Sequence, residues 1–436
     1  NQTLASPVGD GMARLFLRVE GEAGPSLSMI GARAGLRIGA EGDRLVWEGE
    51  TSGLRHRVTL WLHPSRNVWL WRVEIANRRA TPVACDAILV QDLGLGDPGF
   101  LMNNEAYACQ YMDHHVARHP RLGPVLMSRQ AQAQGGLFPW AAHGALEGAE
   151  GFATDMRQIV GPQGRDDDGL RLPFGVALPL RRLQGETACA ALQSRALTLA
   201  PAEEGTWSFF GVFHENHPDA SSDADLTILG DVERALGDYA PRQIALEEAA
   251  PSLVAQAPCA EAENFTQKEI AARHRRRLHV ERGEGATLSY FVPGRSHARH
   301  VALRDKDRLT PRRHGALLRS GAAMMLRDDL LCATAWMHGV FAAQLTIGNT
   351  SMQKLFSVSR DPYNVTRASG LRILVELDGE WRLLSTPSAF EMGLSDCRWV
   401  YKLGARLITV AAVAAGDEPA MQWRVSVEGK PCRLLI

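Results

Sequence analysis

The sequence predicts an all-β chain of two sandwich units joined by a short helical linker, and three observations carry that prediction. Apolar and polar residues alternate with a period of two through most of the chain. Turn residues break those runs at spacings of about eight to twelve residues, the rhythm of sandwiches and barrels. Three segments from the N-terminal part then recur, in the same order, towards the C-terminus.

Composition sets the frame. The 436 residues are 45% hydrophobic and 22% charged, as in ordinary globular chains, and a length prior of about 150 residues per domain gives two to three domains. A net charge of −1 provides no overall field for nucleic acid or an anionic membrane, so neither is expected as a partner. The seven cysteines, Cys85, Cys109, Cys189, Cys259, Cys332, Cys397 and Cys432, are scattered and never in CxxC spacing. They read as reduced thiols packed as small hydrophobes, not as a disulfide framework or a zinc site. No run approaches the ~18 apolar residues of a membrane span, and no basic-then-apolar leader opens the chain. The expected location is cytoplasmic.

Taken in order, Met12 to Leu199 reads as strands. In the segment from Arg55 to His63 the alternation places His56, Val58, Leu60 and Leu62 on one face. In the next, Val68, Leu70, Arg72 and Glu74 lie opposite Trp69, Trp71, Val73 and Ile75. AEGDR, HPSRN and ANRRATP supply the turns. Asp166-Asp167-Asp168-Gly169 lacks the alternating spacing of a calcium loop and reads as a solvated turn. From Asp225 to Ala250 and from Glu261 to Arg277 the period lengthens towards helix, with Ser221, Ser222 and Thr266 as candidate caps. The basic run from Arg273 to Arg277 then reads as a solvated helix end, not a phosphate-binding patch. Strands resume with ATLSYFVPG and HVALRDK. The expected division is a first sandwich over 1–220, a helical linker over 221–285 and a second sandwich over 286–436.

The recurrence matches NVWLWRVEIANRRATPVACDAIL to AMQWRVSVEGKPCRLLI, LRHRVTLWLHPSRN to ARLITVAAVAAGDE, and ARAGLRIGAEGDRLVWEG to RASGLRILVELDGEWRLLS. In the second copy the W-R-V strand lies almost at Ile436, so the second unit is expected to be incomplete and the chain a piece of a longer one.

Candidate chemistry concentrates in a few segments. Between Asn103 and His115, Glu105, Asp113, His114 and His115 are acid, base or ligand types, but adjacent strand histidines point to opposite faces, which disfavours a shared metal. Tyr107 and Tyr111 offer ring faces for a pyranose, and Glu105, Gln110, Asp113 and His114 offer partners for its hydroxyls. The plainer reading is a polar network bracing a long loop. The polar, glycine-rich passage from Thr346 to Arg372 adds Asn349, Arg360, Asp361, Tyr363 and Arg367, and Arg360-Asp361 with Arg367 and Arg372 would also form ion pairs. His214, Glu215 and His217 hold the groups of a sugar epimerase or, more plainly, cap a sheet edge. Glu391, Asp396 and Arg398 would alternate along a strand as structural bracing. No nucleophile elbow, P-loop, dinucleotide fingerprint or H-E-x-x-H motif occurs.

IGNTS from Ile347, KLFS from Lys354, SRDPYN from Ser359, SGLR from Ser369, PSAFEMG from Pro387, HVALRDKDRLT from His300 and WMHGVF from Trp336 together resemble glycoside hydrolase family 94. That family holds 1,2-β-oligoglucan phosphorylases, cellobiose phosphorylase and cyclic β-1,2-glucan synthases. NVWLWRVEIAN through GFATDMRQIVG is similar to the supersandwich at the start of the family's region. The resemblance implies two galactose-mutarotase-like β-supersandwiches and an inverting phosphorolysis of a β-1,2-glucooligosaccharide, with inorganic phosphate as co-substrate and no cofactor or metal. It places the catalytic acid in an (α/α)6 barrel that this sequence lacks, so no catalytic residue carries over and the chain alone is expected to be inactive. It further implies a homodimer, a β-glucan oligosaccharide partner and dependence on the missing C-terminal catalytic region. A non-catalytic glucan-binding or scaffold module and a mutarotase-like epimerase are the alternatives.

Overall fold

The computed structural model describes the chain except residues 1–12, 23–26, 32–35, 98–99, 102–107, 161–176, 186–187, 251–252, 254–256, 295–296, 310–314, 320–330, 338, 348–350, 354–371, 416–417 and 419. The described residues form two compact units, one up to residue 256 and the other from 257 onwards.

In the first unit the alternating segments become one nine-stranded antiparallel sheet. Its spatial order is Glu247–Glu248, Arg37–Glu41, Arg44–Thr51, Leu54–Leu62, Val68–Asn77, Glu204–His214, Trp140–Ala145, Gly123–Gln130 and Met112–His119. The register sets Trp61 against Leu70, Thr59 against Arg72 and Arg57 against Glu74. Because side chains alternate, each strand feeds two surfaces. The inner one, with Val58, Trp71, Val73, Ile75, Trp207 and Phe209, packs on Leu15, Leu17, Leu89 and Leu192 of a six-stranded sheet. Each such side chain contributes roughly 1.5–3 kcal/mol by leaving water, which makes this layer the unit's main core.

The outer surface divides. Towards the Met112–His119 edge, Val68, Phe210, Val212, Met127 and Trp140 are covered by Ile228, Leu229, Val232 and Ala235, residues of a 3-10 turn and the helix Leu229–Leu236. Asp225 caps that turn by accepting the Ser222 backbone N–H at 2.7 Å. Farther along, the same surface turns polar and is crossed by residues 239–248.

The second unit holds a seven-stranded sheet running from Leu278–Gly283 to Ala420–Glu428, with four- and three-stranded sheets beside it. Its core gathers Phe390, Trp399, Tyr401, Ile408 and Val410 with Leu318, Met337, Ile373 and Val375. The helix Gln267–Arg273 starts at a Thr266–Glu269 capping box and lays Ile270 on Tyr290, Val301 and Val400. The basic run therefore begins at a helix C-terminus, with His274 as its cap.

Three expectations meet the structure differently. Within 221–285, read as a helical linker, the helices are short and each packs on its own unit, and the strand Leu278–Gly283 already begins there. Glu391 and Arg398 do not share a strand: they face each other across the antiparallel pair Ala389–Met392 and Asp396–Leu403, because the chain turns after Met392. The recurrence holds hairpin by hairpin but not across sheets. Arg37–Glu41 with Arg44–Thr51 corresponds to Leu374–Leu377 with Glu380–Leu383, and Leu54–Leu62 with Val68–Asn77 corresponds to Arg406–Ala415 with Ala420–Glu428. All four strands are neighbours in the first unit. In the second, Asp396–Leu403 takes the place beside Arg406–Ala415 and the other hairpin joins a separate sheet. Among the described residues there is no succession of paired helices of the kind an (α/α)6 barrel needs, and no helix is long and apolar enough to cross a membrane.

Candidate functional site

Of the residues proposed from sequence to meet a sugar, Gln110, Tyr111, Asp113 and His114 are described. Glu105, Tyr107, Asn349, Arg360, Asp361, Tyr363 and Arg367 lie outside the described residues, as do Asp166, Asp167 and Asp168. Tyr111 is 46% exposed, and the Gln110 carbonyl accepts a hydrogen bond from Gln184 at 3.1 Å. Asp113 and His114 part company on the strand Met112–His119, pointing to opposite faces.

His114 turns inward, with Nδ1 2.9 Å from Ser128 Oγ and its carbonyl accepting from Arg182 at 2.6 Å. Burial lowers its pKa to about 4, with Asp155 pulling up and Arg182 down. Nearby His143 is wholly buried, edge-on to Trp69 at 5.5 Å, and is likewise held at about 4 by burial. Both are neutral imidazoles of the sandwich interior near neutral pH, which suits packing within the core better than proton transfer to a substrate.

His115 faces out and pairs with Asp223 at 2.8 Å. His217 stacks on Trp140 with ring centroids 5.2 Å apart, and its nitrogens reach Asp225 Oδ1 at 3.0 Å and the Asp219 carbonyl at 2.8 Å. Partial burial would raise the Asp225 carboxyl, but the Ser222 N–H and His217 outweigh it and hold it below the usual range. His217 thus fastens the start of the covering turn and helix, while His214 sets its ring 5.4 Å from that of Trp140. Among the described residues no group of three His, Cys, Asp or Glu side chains could hold a metal ion.

A concave site lies on the polar half of the nine-stranded sheet, where sequence reasoning had singled out no residue. It is a cavity of about 790 Å³ lined by six arginines and three glutamates, with Thr59, Thr206 and Tyr239 among its other walls. The register makes it: Arg37 is opposite Glu48, Glu48 opposite Arg57, and Arg57 opposite Glu74. Glu48 lies among Arg55 at 3.0 Å, Arg57 at 3.2 Å and Arg37 at 3.7 Å. Its partial burial alone would raise its pKa, yet the bonds and charges of Arg55 and Arg57 lower it.

The roof of the cavity is chain. Glu247–Glu248 pairs with Arg37–Glu41, and the Arg37 guanidinium donates to the Leu246 carbonyl at 3.1 Å. Gly39 lets this segment come close, since a Cβ there would collide with the Ala245 carbonyl. Tyr239 meets Trp61 edge-on at 5.5 Å and lies 5.0 Å from the Arg44 guanidinium. The sequence signal was present as arginines at alternate positions, but which strands are neighbours is long-range information.

Set beside known proteins, residues 1–211 match the family model described as the SOGP N-terminal domain, and residues 274–436 match the glycoside phosphorylase supersandwich domain. A 1,2-beta-oligoglucan phosphorylase from Listeria innocua serovar 6a (strain ATCC BAA-680 / CLIP 11262) is 29% identical over 420 residues, 96% of this chain and 37% of that protein. The chain therefore spans 37% of that relative's length. Among solved structures, a polysaccharide lyase aligns at TM-score 0.30 and 8% identity over 94% of this chain and 40% of its own. A bacterial glucoamylase complexed with acarbose aligns at TM-score 0.32 and 9% identity over 53% of this chain and 32% of its own.

Proposed function

We propose that this chain, which carries an SOGP N-terminal domain followed by a glycoside phosphorylase supersandwich domain, is the paired-sandwich region of an inverting phosphorylase acting on β-1,2-linked glucooligosaccharides. The observation that carries the reading is the 29% identity to a 1,2-beta-oligoglucan phosphorylase running through 420 residues, across both units. In such a reaction an oxygen of inorganic phosphate forms the bond to the anomeric carbon as the glycosidic C–O bond breaks. A carboxylic acid gives its proton to the leaving oxygen, and α-glucose 1-phosphate departs. On this reading the acid belongs to a catalytic region that partners these sandwiches, in a cytoplasmic homodimeric member of glycoside hydrolase family 94. The segments 103–115 and 346–367 border the oligosaccharide, with Gln110 and Tyr111 presented at the surface.

The test follows phosphate-dependent release of α-glucose 1-phosphate from β-1,2- and β-1,4-glucooligosaccharides, using the 436-residue chain and the longer protein that contains it. Turnover of the β-1,2 series by the longer protein, and none by the 436 residues alone, is expected. Phosphorolysis by the 436-residue chain itself would place the acid within it and overturn the assignment.

A further inference from the structure

The arginine-lined cavity has no part in the reading above, and its chemistry is specific. Six guanidiniums face three glutamates in its walls, so positive charge is left over. Arg44 is the most telling member. Its side chain is only 3% exposed, its Nε makes no hydrogen bond, and its nearest carboxylate oxygen, on Asp43, stands 3.4 Å away. That Asp43 carboxylate already accepts from Trp61 Nε1 at 2.6 Å and is approached by Arg242 at 3.9 Å. Among the described residues the Arg44 charge is met only by Asp43 and by the Tyr239 ring 5.0 Å away. Since the Nε itself is closed off, what Arg44 brings to the cavity is positive charge beneath its floor, which an anion would offset.

Guanidinium forks match planar or tetrahedral oxyanions. A volume of about 790 Å³ is far more than a bare anion needs and falls within the range that holds small organic ligands. The remaining walls, Glu74, Glu204, Thr59 and Thr206, suit hydroxyls, and Tyr239 offers a ring edge and a phenol.

We propose that this cavity is a binding site for an anionic sugar, its phosphate or carboxylate held by the arginines around Arg44 and Arg57 and its hydroxyls by the glutamates and threonines. The site lies wholly within the first unit and needs no catalytic partner, so its test is independent of phosphorolysis.

The experiment is calorimetric titration of the 436-residue chain with α-glucose 1-phosphate, glucuronate, glucose and inorganic phosphate. At least one anionic sugar is expected to bind about tenfold or more tightly than both glucose and inorganic phosphate, and the binding should weaken as salt is raised. If α-glucose 1-phosphate alone binds, the oxyanion is a phosphate ester; if glucuronate binds equally, the site reads the charge. Arg44→Met and Arg57→Gln should each weaken binding about five- to tenfold, and Arg57, partly exposed on the sheet, keeps the test open if Arg44→Met fails to fold. No binding, inorganic phosphate binding as tightly as the sugars, or affinities unchanged in Arg57→Gln would overturn the proposal.

Discussion

The outer surface of the nine-stranded sheet is one surface with two fates, and single strands take part in both. Val68 and Leu70 at the start of Val68–Asn77 are buried, Val68 directly beneath the helix Leu229–Leu236, whereas Arg72 and Glu74, on the same face two and four residues beyond Leu70, stay half-exposed and ion-paired at 3.5 Å. Glu204–His214 does the same with Phe210 and Val212 against Glu204 and Thr206. At one end the chain covers apolar side chains with a helix. At the other it lays residues 239–248 over a polar hollow. The difference teaches that the strand pattern sets which side chains share a face, and the covering segment decides whether that face becomes core or site.

Breaking the apolar end should cost most. Phe210 is 1% exposed and its ring fills the space left by the missing Cβ of Gly144. Phe210→Ala should therefore lower unfolding free energy by about 3–5 kcal/mol in a denaturant titration. A loss below about 1 kcal/mol would mean the helix is not closing a core.

Acid should reveal what lies beneath the face. His143 and His114, with His56 under the polar end, have folded pKa values of about 4 against an ordinary 6.5, burial being the first cause in each. The unfolded chain takes up these protons first, so stability is full above about pH 6.5 and falls as pH drops towards 4. Each histidine accounts for roughly 1.4 kcal/mol per pH unit within that window. His143→Leu, which removes a ring whose nitrogens have no hydrogen-bond partner, should make the slope shallower without loss at pH 7; an unchanged slope in urea unfolding at pH 5 and pH 7 would contradict its burial as a neutral group.

Smaller effects belong to the roof and the ladder. Gly39→Val should lift residues 244–246, cost about 1–3 kcal/mol and leave the helix-covered end unaltered, as amide exchange at Val232 and Ala235 can check. Arg57→Gln should change stability by no more than about 1 kcal/mol, because the Glu48 carboxylate keeps Arg55 at 3.0 Å and Arg37 at 3.7 Å and is not left unpaired. A loss of several kcal/mol would recast the arginines as bracing.

Much of the fold was legible. Period-two alternation fixed the faces of Leu54–Leu62 and Val68–Asn77 correctly, since His56 and Val58 lie inside and Arg55 and Arg57 outside. Turn residues marked hairpins, and the opposed directions of His114 and His115 followed from strand geometry alone. What the sequence left out was long-range. Alternation cannot say that Glu204–His214 lies beside Val68–Asn77, nor that Leu229–Leu236 covers one end of their shared face, and without those facts Arg37, Arg44, Arg57 and Arg72 are merely outward-pointing residues on separate strands. The recurrence misled in one respect for the same reason, because local hairpins repeat while their sheet neighbours do not. His217 drew notice as a reactive type, but its place beside Asp225 and Trp140 depends on where the following turn docks.

The most direct measurement is amide hydrogen exchange across the first unit with and without whichever of α-glucose 1-phosphate and glucuronate binds more tightly. Protection is predicted in residues 37–59 and 239–248, which wall the hollow, with no change in residues 226–236, which cover the core. Equal protection at both ends, or none at either, would contradict the division of this face into a core and a site.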